Sequence, residues 1–324
     1  MGMKRNWGIL AALALVLLGA ASQSFSQTGE AWPTPNADSL APGAFKDTVL
    51  YGRKLFSETY SIIGPEVTDT AMRYSGNNLS CQSCHLRAGT QKFAIPMIGV
   101  YGVFPVYIGR EDEVRTLEER IEGCMDRSMN GRAIPIGGKE MKSLVAYIQF
   151  LSTGVPVGKS LEGRATPTLP LMARAADPKR GAGVYEKNCA LCHQPDGSGQ
   201  RKGPPGEAKG YLYPPLWGPD SFNDGAGMHR LIASASFIRA NMPFGTQYDA
   251  PALSVEDAFD VAAYINSQPR PKRANLEADY PNRARKPVDA PFAPFPDAFA
   301  LEQHRLGPFQ PIIDAQNTAS KAAR

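Results

Sequence analysis

The sequence predicts an all-α protein: two small helical domains in tandem, followed by a Pro-rich C-terminal tail. Three observations carry that reading. A five-residue motif, C-x-x-C-H, occurs twice, as CQSCH at 81–85 and CALCH at 189–193. A glycine with an aromatic residue four positions later precedes each copy, in GRKLF (52–56) and GAGVY (181–185). A helical segment follows each copy, EMKSLVAYIQFL around Tyr147 and VEDAFDVAAYI around Tyr264. Both show apolar residues at three- and four-residue spacing, the period of an amphipathic helix. The order helix, motif, long loops, helix is therefore duplicated, over 45–155 and 175–268.

The chain has 324 residues, 43% hydrophobic and 20% charged, an ordinary globular composition. Its formal charge of +4 falls by two if Lys4 and Arg5 leave with a leader. Such a balance gives no footprint for a nucleic-acid partner. Residues 1–26 read as a secretory signal peptide. MGMKRNW is a short basic region, GILAALALVLLGAAS is an apolar run, and small and polar residues follow, with cleavage expected between Ala20 and Gln27. The run is shorter than the ~20 residues of a membrane span, and no later stretch is apolar enough for one. The mature chain is therefore expected in the periplasm, without stable membrane insertion.

In the first domain Phe56 precedes Cys81 by 25 residues, whereas Tyr185 precedes Cys189 by 4. The first domain thus carries an insertion near SIIGPEVTDTAMRYSGNN. The segment EDEVRTLEERIEGCMDRSM (111–129) reads as one helix. A linker at 156–174, with several Pro and Gly residues, is expected on the surface. The tail, 269–324, is proline-rich and basic, without a helical period. Tyr280, Phe292, Phe295 and Phe299 point to its packing against the domains.

C-x-x-C-H is the attachment sequence of c-type haem. Two thiols three residues apart each add to a haem vinyl group, and the adjacent histidine turns its imidazole to the iron. Two copies in an exported chain favour this over zinc or a redox dithiol. Cys81, Cys84, Cys189 and Cys192 are expected to hold two covalent haem c groups, with His85 and His193 as axial ligands. The arrangement resembles the class I cytochrome c fold, a small helical domain wrapped around one haem.

The opposite ligand sets potential and reactivity. In the second domain Met242, in RANMPFGT, lies 49 residues after His193 and just before the closing helix. His229 is the competing candidate, in a setting more typical of packing. In the first domain Cys124, Met125 and Met129 all lie within reach of spacing, and spacing does not choose among them. Helix phase, at ~100° per residue, stacks Arg120, Cys124 and Ser128 on one face, with Met129 well away from it. Cys124 is also the one cysteine outside the two motifs. A thiolate ligand would stabilise ferric iron. An arginine on its face suits a small anion, because a guanidinium donates paired hydrogen bonds to anionic oxygens. The other arginines nearby, Arg110, Arg115, Arg127 and Arg132, are expected to be solvated or salt-bridged with Glu111, Asp112, Glu118, Glu119 and Asp126.

YGRKLF, NNLSCQSCH, IGREDEVRTLEERIEGCMDRSMNG and FIRANMPFG together resemble the dihaem thiosulfate dehydrogenases, which join two thiosulfates into tetrathionate. The resemblance implies His85 and Cys124 on the first haem and His193 and Met242 on the second. It places Arg110, Arg120 and Ser128 in the pocket at the first haem. It implies a reaction in which Cys124 bonds to one thiosulfate, a second thiosulfate releases tetrathionate, and electrons pass through the second haem to an acceptor cytochrome. The reverse reaction, tetrathionate reduction, is also known in the family. Some members carry a lysine before the methionine that exchanges with it as ligand; this chain has Asn241 there. Two other readings belong to different classes. One is a dihaem electron carrier without substrate, with Met129 on the first haem. The other is a haem-bearing sulfur-carrier subunit of a sulfur-oxidation complex, which needs a partner subunit.

Overall fold

Two helix pairs, each crossing at a glycine, set the architecture. The computed structural model describes residues 1–2 and 32–322; the expected leader falls almost wholly outside the described residues. Helix α1 (Ala44–Ser57) follows the sequence prediction. Helix α2 (Leu117–Arg127) carries Cys124. Helix α3 (Lys139–Leu151) closes the first half and packs on α1. In the second half α4 (Pro178–Asn188) packs on α6 (Val255–Ser267), and α5 (Leu231–Asn241) ends one residue before Met242. Strands are few and short. β1 (Val106–Ile108) pairs antiparallel with β2 (Glu113–Arg115), and β3 (Gln200–Arg201) with β4 (Tyr211–Tyr213).

The duplicated glycine and tyrosine are explained by these crossings. A Cβ on Gly52 would stand 1.9 Å from the Ser143 carbonyl oxygen and 2.8 Å from the Tyr147 Cβ. A Cβ on Gly181 would stand 1.9 Å from the Asp260 carbonyl oxygen and 2.9 Å from the Tyr264 Cβ. Only glycine lets the two backbones approach so closely. The aromatic residue four positions on, one helical turn away on the same face, then meets the same tyrosine. Phe56 and Tyr147 have ring centroids 5.7 Å apart, and Tyr185 and Tyr264 are 5.4 Å apart. The Tyr147 hydroxyl donates to Ala88 O and that of Tyr185 to Gln194 O, both at 2.7 Å. Each bond ties a helix crossing to the chain just after its C-x-x-C-H motif.

Residues 111–129 do not form one helix. The helix begins at Leu117, because Thr116 and Glu119 make a reciprocal cap. Glu119 N–H donates to the Thr116 hydroxyl at 3.3 Å, and Thr116 N–H donates to the Glu119 carboxylate at 2.8 Å. T-x-x-E is a helix-start signal, and the preceding residues are free to pair as β2. Val114, expected on the apolar face of the helix, is an exposed strand residue. Arg110 consequently sits in the turn between β1 and β2.

The insertion crosses the end of α2. Gly76 N–H donates to Met129 O, and Arg132 N–H to Tyr74 O, each at 2.9 Å. A Cβ on Gly76 would lie 1.9 Å from Asn130 O, so the contact is backbone on backbone. The insertion also reaches the second half: Arg201 pairs with the Glu66 carboxylate, and Asn78 N–H donates to Asp220 at 2.9 Å.

The tail packs against the protein, as its aromatic residues suggest, but it also forms helices that its sequence did not announce. These are α7 (Leu301–Leu306) and α8 (Gln310–Ala322). Phe309 and Ile312 are buried in the core of the second half, with Phe259, Val261 and Leu231. Proline obscures the period at 307–311, yet tertiary burial overrides local preference. Among the described residues, no helix is long and apolar enough to cross a membrane.

Candidate active site

Cys124 faces the first motif, on the face of α2 that also carries Arg120. The Arg120 guanidinium donates from Nη1 to the Cys124 Sγ at 3.0 Å. Charge on Cys124 is the main influence raising the pKa of Arg120. Burial pushes the Cys81 thiol up to about 12 and that of Cys84 to about 11, and charge on Cys124 adds to both. Burial likewise lowers the His85 pKa, and the Arg120 cation lowers it further. The charges of Cys124 and Arg120 thus act on the first motif, which puts Cys81, Cys84, His85, Arg120 and Cys124 in one neighbourhood. Met125 and Met129 are 2% and 3% exposed and belong to the buried core, whereas Cys124 keeps some exposed area. Both Ser128 N–H and Met129 N–H donate to Cys124 O, at 2.8 and 3.0 Å, which fixes the last turn around the cysteine.

The two motif histidines are oriented alike. His85 Nδ1 lies 2.5 Å from Ile95 O, and His193 Nδ1 lies 2.8 Å from Pro214 O. A carbonyl at Nδ1 fixes the proton there and leaves Nε2 as a lone pair. Among the described residues neither Nε2 has a hydrogen-bond partner. Burial lowers both pKa values and so favours the neutral ring that a metal requires. His85, Cys81, Cys84 and Cys124 retain some exposed area although protein surrounds them, which describes a cradle open on one side. This donor set fits haem c. His229 differs: its nitrogens face Asp224 O at 2.9 Å and Asn266 O at 3.2 Å. Burial pushes its pKa down to about 4. It is committed to packing.

Met242 lies partly buried against the core of the second half. Asn241 before it is 4% exposed and fully engaged. Its Nδ2 donates to Phe93 O at 3.1 Å and Phe237 O at 3.0 Å, and its Oδ1 accepts from Gln91 Nε2 at 2.8 Å. Phe93 packs on Tyr248 with ring centroids 4.0 Å apart and planes tilted by 41°. The Met242 loop is thereby bonded to the segment 91–95 that orients His85.

Arg110 and Ser128, the remaining predicted residues, are held by contacts to other segments. Arg110 donates from Nη1 to Gly225 O at 3.0 Å and from Nε to the Tyr280 hydroxyl at 3.4 Å. The Ser128 carbonyl accepts from Asn77 Nδ2 at 3.0 Å, and the same amide group donates to Ser221 O at 3.2 Å. The acidic partners of the arginines differ from those expected. Arg127 is 5% exposed and pairs in bidentate fashion with Asp279, with both bonds at 2.8 Å. Arg273 pairs with Asp126 at 2.7 Å. Among the described residues, Arg115–Glu113 and the longer Arg127–Glu111 contact, at 3.6 Å, are the local pairs in this segment. A cleft of about 380 Å³ runs between Arg110, Gly123, Arg127, Arg273 and Asp279. Tail residues Asp279 and Tyr280 therefore belong to the surroundings of α2. No local sequence signal assigns them there, because the contact spans about 150 residues of chain.

Comparison with known proteins gives the same two-part division. A family model described as the SoxA/TsdA cytochrome c domain matches residues 71–157, and a cytochrome c model matches 178–269. The chain is 39% identical over 242 residues to the thiosulfate dehydrogenase of Stutzerimonas stutzeri, covering 75% of this chain and 74% of that one. It is 39% identical over 267 residues to the thiosulfate dehydrogenase of Allochromatium vinosum, covering 81% and 93%. A solved thiosulfate dehydrogenase (TsdBA) from Marichromatium purpuratum superposes with a TM-score of 0.66 at 38% identity. That match covers 74% of this chain and 50% of the solved one. Two cytochrome c domains imply two covalently bound haem c groups, one on each C-x-x-C-H motif.

Proposed function

The chain belongs to the thiosulfate dehydrogenase family, and from that premise we propose that it joins two thiosulfates into tetrathionate at the surface formed by His85 and Cys124. His85 and Cys124 would hold the first haem, with Cys124 also the reactive sulfur, and His193 and Met242 would hold the second. The observation that carries this reading is the 3.0 Å bond from Arg120 to the Cys124 sulfur, directed at the first C-x-x-C-H segment.

When bound, the two haem c groups supply two one-electron acceptors, which matches the two electrons released per tetrathionate. The chain's own residues do the rest. The Cys124 thiolate bonds to the sulfane sulfur of one thiosulfate as two electrons leave, giving a cysteine S-thiosulfonate. The sulfane sulfur of a second thiosulfate attacks that adduct, the S–S bond to Cys124 breaks, and tetrathionate departs with the thiolate restored. Both substrates are dianions, so their approach is repulsive; the Arg110 and Arg120 cations offset this. The Ser128 hydroxyl donates a further hydrogen bond. Asn241 is bonded through its amide on three sides, so it would not replace Met242 on the second haem as a lysine at that position would. We assign the protein to the periplasm and its electrons to a soluble acceptor cytochrome.

Incubating the purified holoprotein with thiosulfate and an artificial acceptor tests the reading. Tetrathionate should accumulate with two acceptors reduced per molecule formed. A substrate-free carrier would leave its haems oxidised in thiosulfate alone, and a sulfur-carrier subunit would form no tetrathionate without a partner.

A further inference from the structure

We propose that Tyr280, supplied by the C-terminal tail, is a substrate-binding residue whose phenol O–H donates to a sulfonate oxygen of thiosulfate beside Arg110. The proposal rests on the thiosulfate reading above and extends it to a residue some 150 positions beyond the catalytic helix.

Four observations place Tyr280. Its N–H donates to Arg110 O at 2.7 Å, so the tail is hydrogen-bonded to the turn that carries this arginine. Its φ is +59°, a left-handed conformation uncommon for a bulky residue. Arg283 holds it there, donating from Nη1 to Tyr280 O at 2.8 Å and to Asp279 O at 2.7 Å. The Arg110 guanidinium lies 5.7 Å from the centroid of the Tyr280 ring, which pins the ring beneath it. The phenol also lies near enough to Arg120 to act on its charge.

The hydrogen-bond inventory then points to an anion. Tyr280 is 6% exposed. Its phenol oxygen accepts from Arg110 Nε at a long 3.4 Å. Its own proton has no acceptor among the described residues. A buried hydroxyl proton without an acceptor is costly. The Asp279 carboxylate next to it is already engaged: its oxygens take both Arg127 bonds, and Arg273 Nη1 stands 3.4 Å away. Arg110 directs its donors to Gly225 O, to the Tyr280 oxygen and, at 4.0 Å, toward the Asp279 carboxylate, so among the described residues the Tyr280 proton and the Arg120 N–H groups not bonded to Cys124 are the donors that face an incoming anion. A tetrahedral sulfonate has three acceptor oxygens to meet them. An anionic sulfur species without oxygens has none.

That contrast supplies the test. In the holoenzyme Tyr280→Phe keeps the ring and deletes the donor. The expected result is about a tenfold rise in KM for thiosulfate, the range of a lost hydrogen bond to a charged group, with kcat held within about twofold. Reduction of the ferric haems by hydrosulfide should be unchanged. Calorimetric binding of thiosulfate to Cys124→Ser, with and without Tyr280→Phe, should show the same tenfold weakening without turnover. An unaltered thiosulfate KM and affinity would overturn the proposal, as would equal losses with thiosulfate and hydrosulfide, which would mark a structural role. Failure of the unsubstituted holoprotein to oxidise thiosulfate at all would instead overturn the parent reading.

Discussion

At the residue scale the chemistry depends on a cation placed on a sulfur. Arg120 and Cys124 are four residues apart in α2, one turn, so their contact follows from helix geometry alone. The guanidinium bond to sulfur does two things. It stabilises the thiolate, and it leaves other N–H groups of the same planar fork for an incoming sulfonate. Lysine has a point charge on a flexible stem and lacks that fork. Arg120→Gln should therefore lower kcat/KM for thiosulfate by about 10- to 100-fold, the value of one charge-assisted hydrogen bond. Arg120→Lys should recover only part of the loss. Steady-state kinetics on holoproteins with equal haem content provide the check; wild-type kcat/KM in Arg120→Gln would remove the arginine from the mechanism.

At the element scale the decisive contacts are the glycine crossings. Gly52 and Gly183 give a matched pair. A methyl on Gly52 would collide with the Ser143 carbonyl, whereas a methyl on Gly183 in α4 meets nothing within 4 Å. Gly52→Ala should cost about 1–3 kcal/mol as overpacking. Gly183→Ala should be neutral or stabilise by up to about 1 kcal/mol through helix propensity. Denaturant midpoints of the two variants check this. These crossings also show what the sequence made legible. Duplicated G-x-x-x-aromatic segments and tyrosine helices located four of the six long helices in the two halves, α1, α3, α4 and α6, because each pattern is local and periodic. The Arg120–Cys124 face was legible for the same reason. The start of α2 was misread although Thr116 and Glu119 announce it, because Val114 happened to fit the apolar stripe. The acidic partners of Arg127 and Arg273, the insertion's backbone bonds to Met129 and the role of Tyr280 were not legible. Each joins segments about 50 to 170 residues apart, and no period in the sequence encodes such a pairing.

At the scale of the whole molecule, the tail holds the two halves and the catalytic helix together. Asp279 receives Arg127 from α2, and Phe309 and Ile312 enter the core of the second half. Lys286 lies in this tail, 2% exposed, with Nζ donating to Pro294 O at 2.9 Å and standing 4.1 Å from the Phe292 ring centroid. Burial pushes its pKa down to about 8, against ~10.4 for a free lysine. Between those values the unfolded chain binds a proton that the folded chain does not, so this group makes stability rise with pH from about 8 toward 10. Urea midpoints should show that rise, and Lys286→Met should flatten it; an unchanged slope would mean that Lys286 is charged in the fold.

The two halves meet where function requires it. Asn241 bonds the Met242 loop to the segment that orients His85, so the two proposed ligand sets are tied to one another through the backbone at 91–95. The account stands or falls on Cys124 as both iron ligand and reactive sulfur. The most direct measurement is electron paramagnetic resonance of the ferric holoprotein and of Cys124→Ser, coupled to thiosulfate turnover. The account predicts two low-spin haem signals in the native protein, loss of the thiolate-type signal alone in the variant, both haems still attached, and no turnover. An unchanged spectrum together with full thiosulfate oxidation in Cys124→Ser would contradict it.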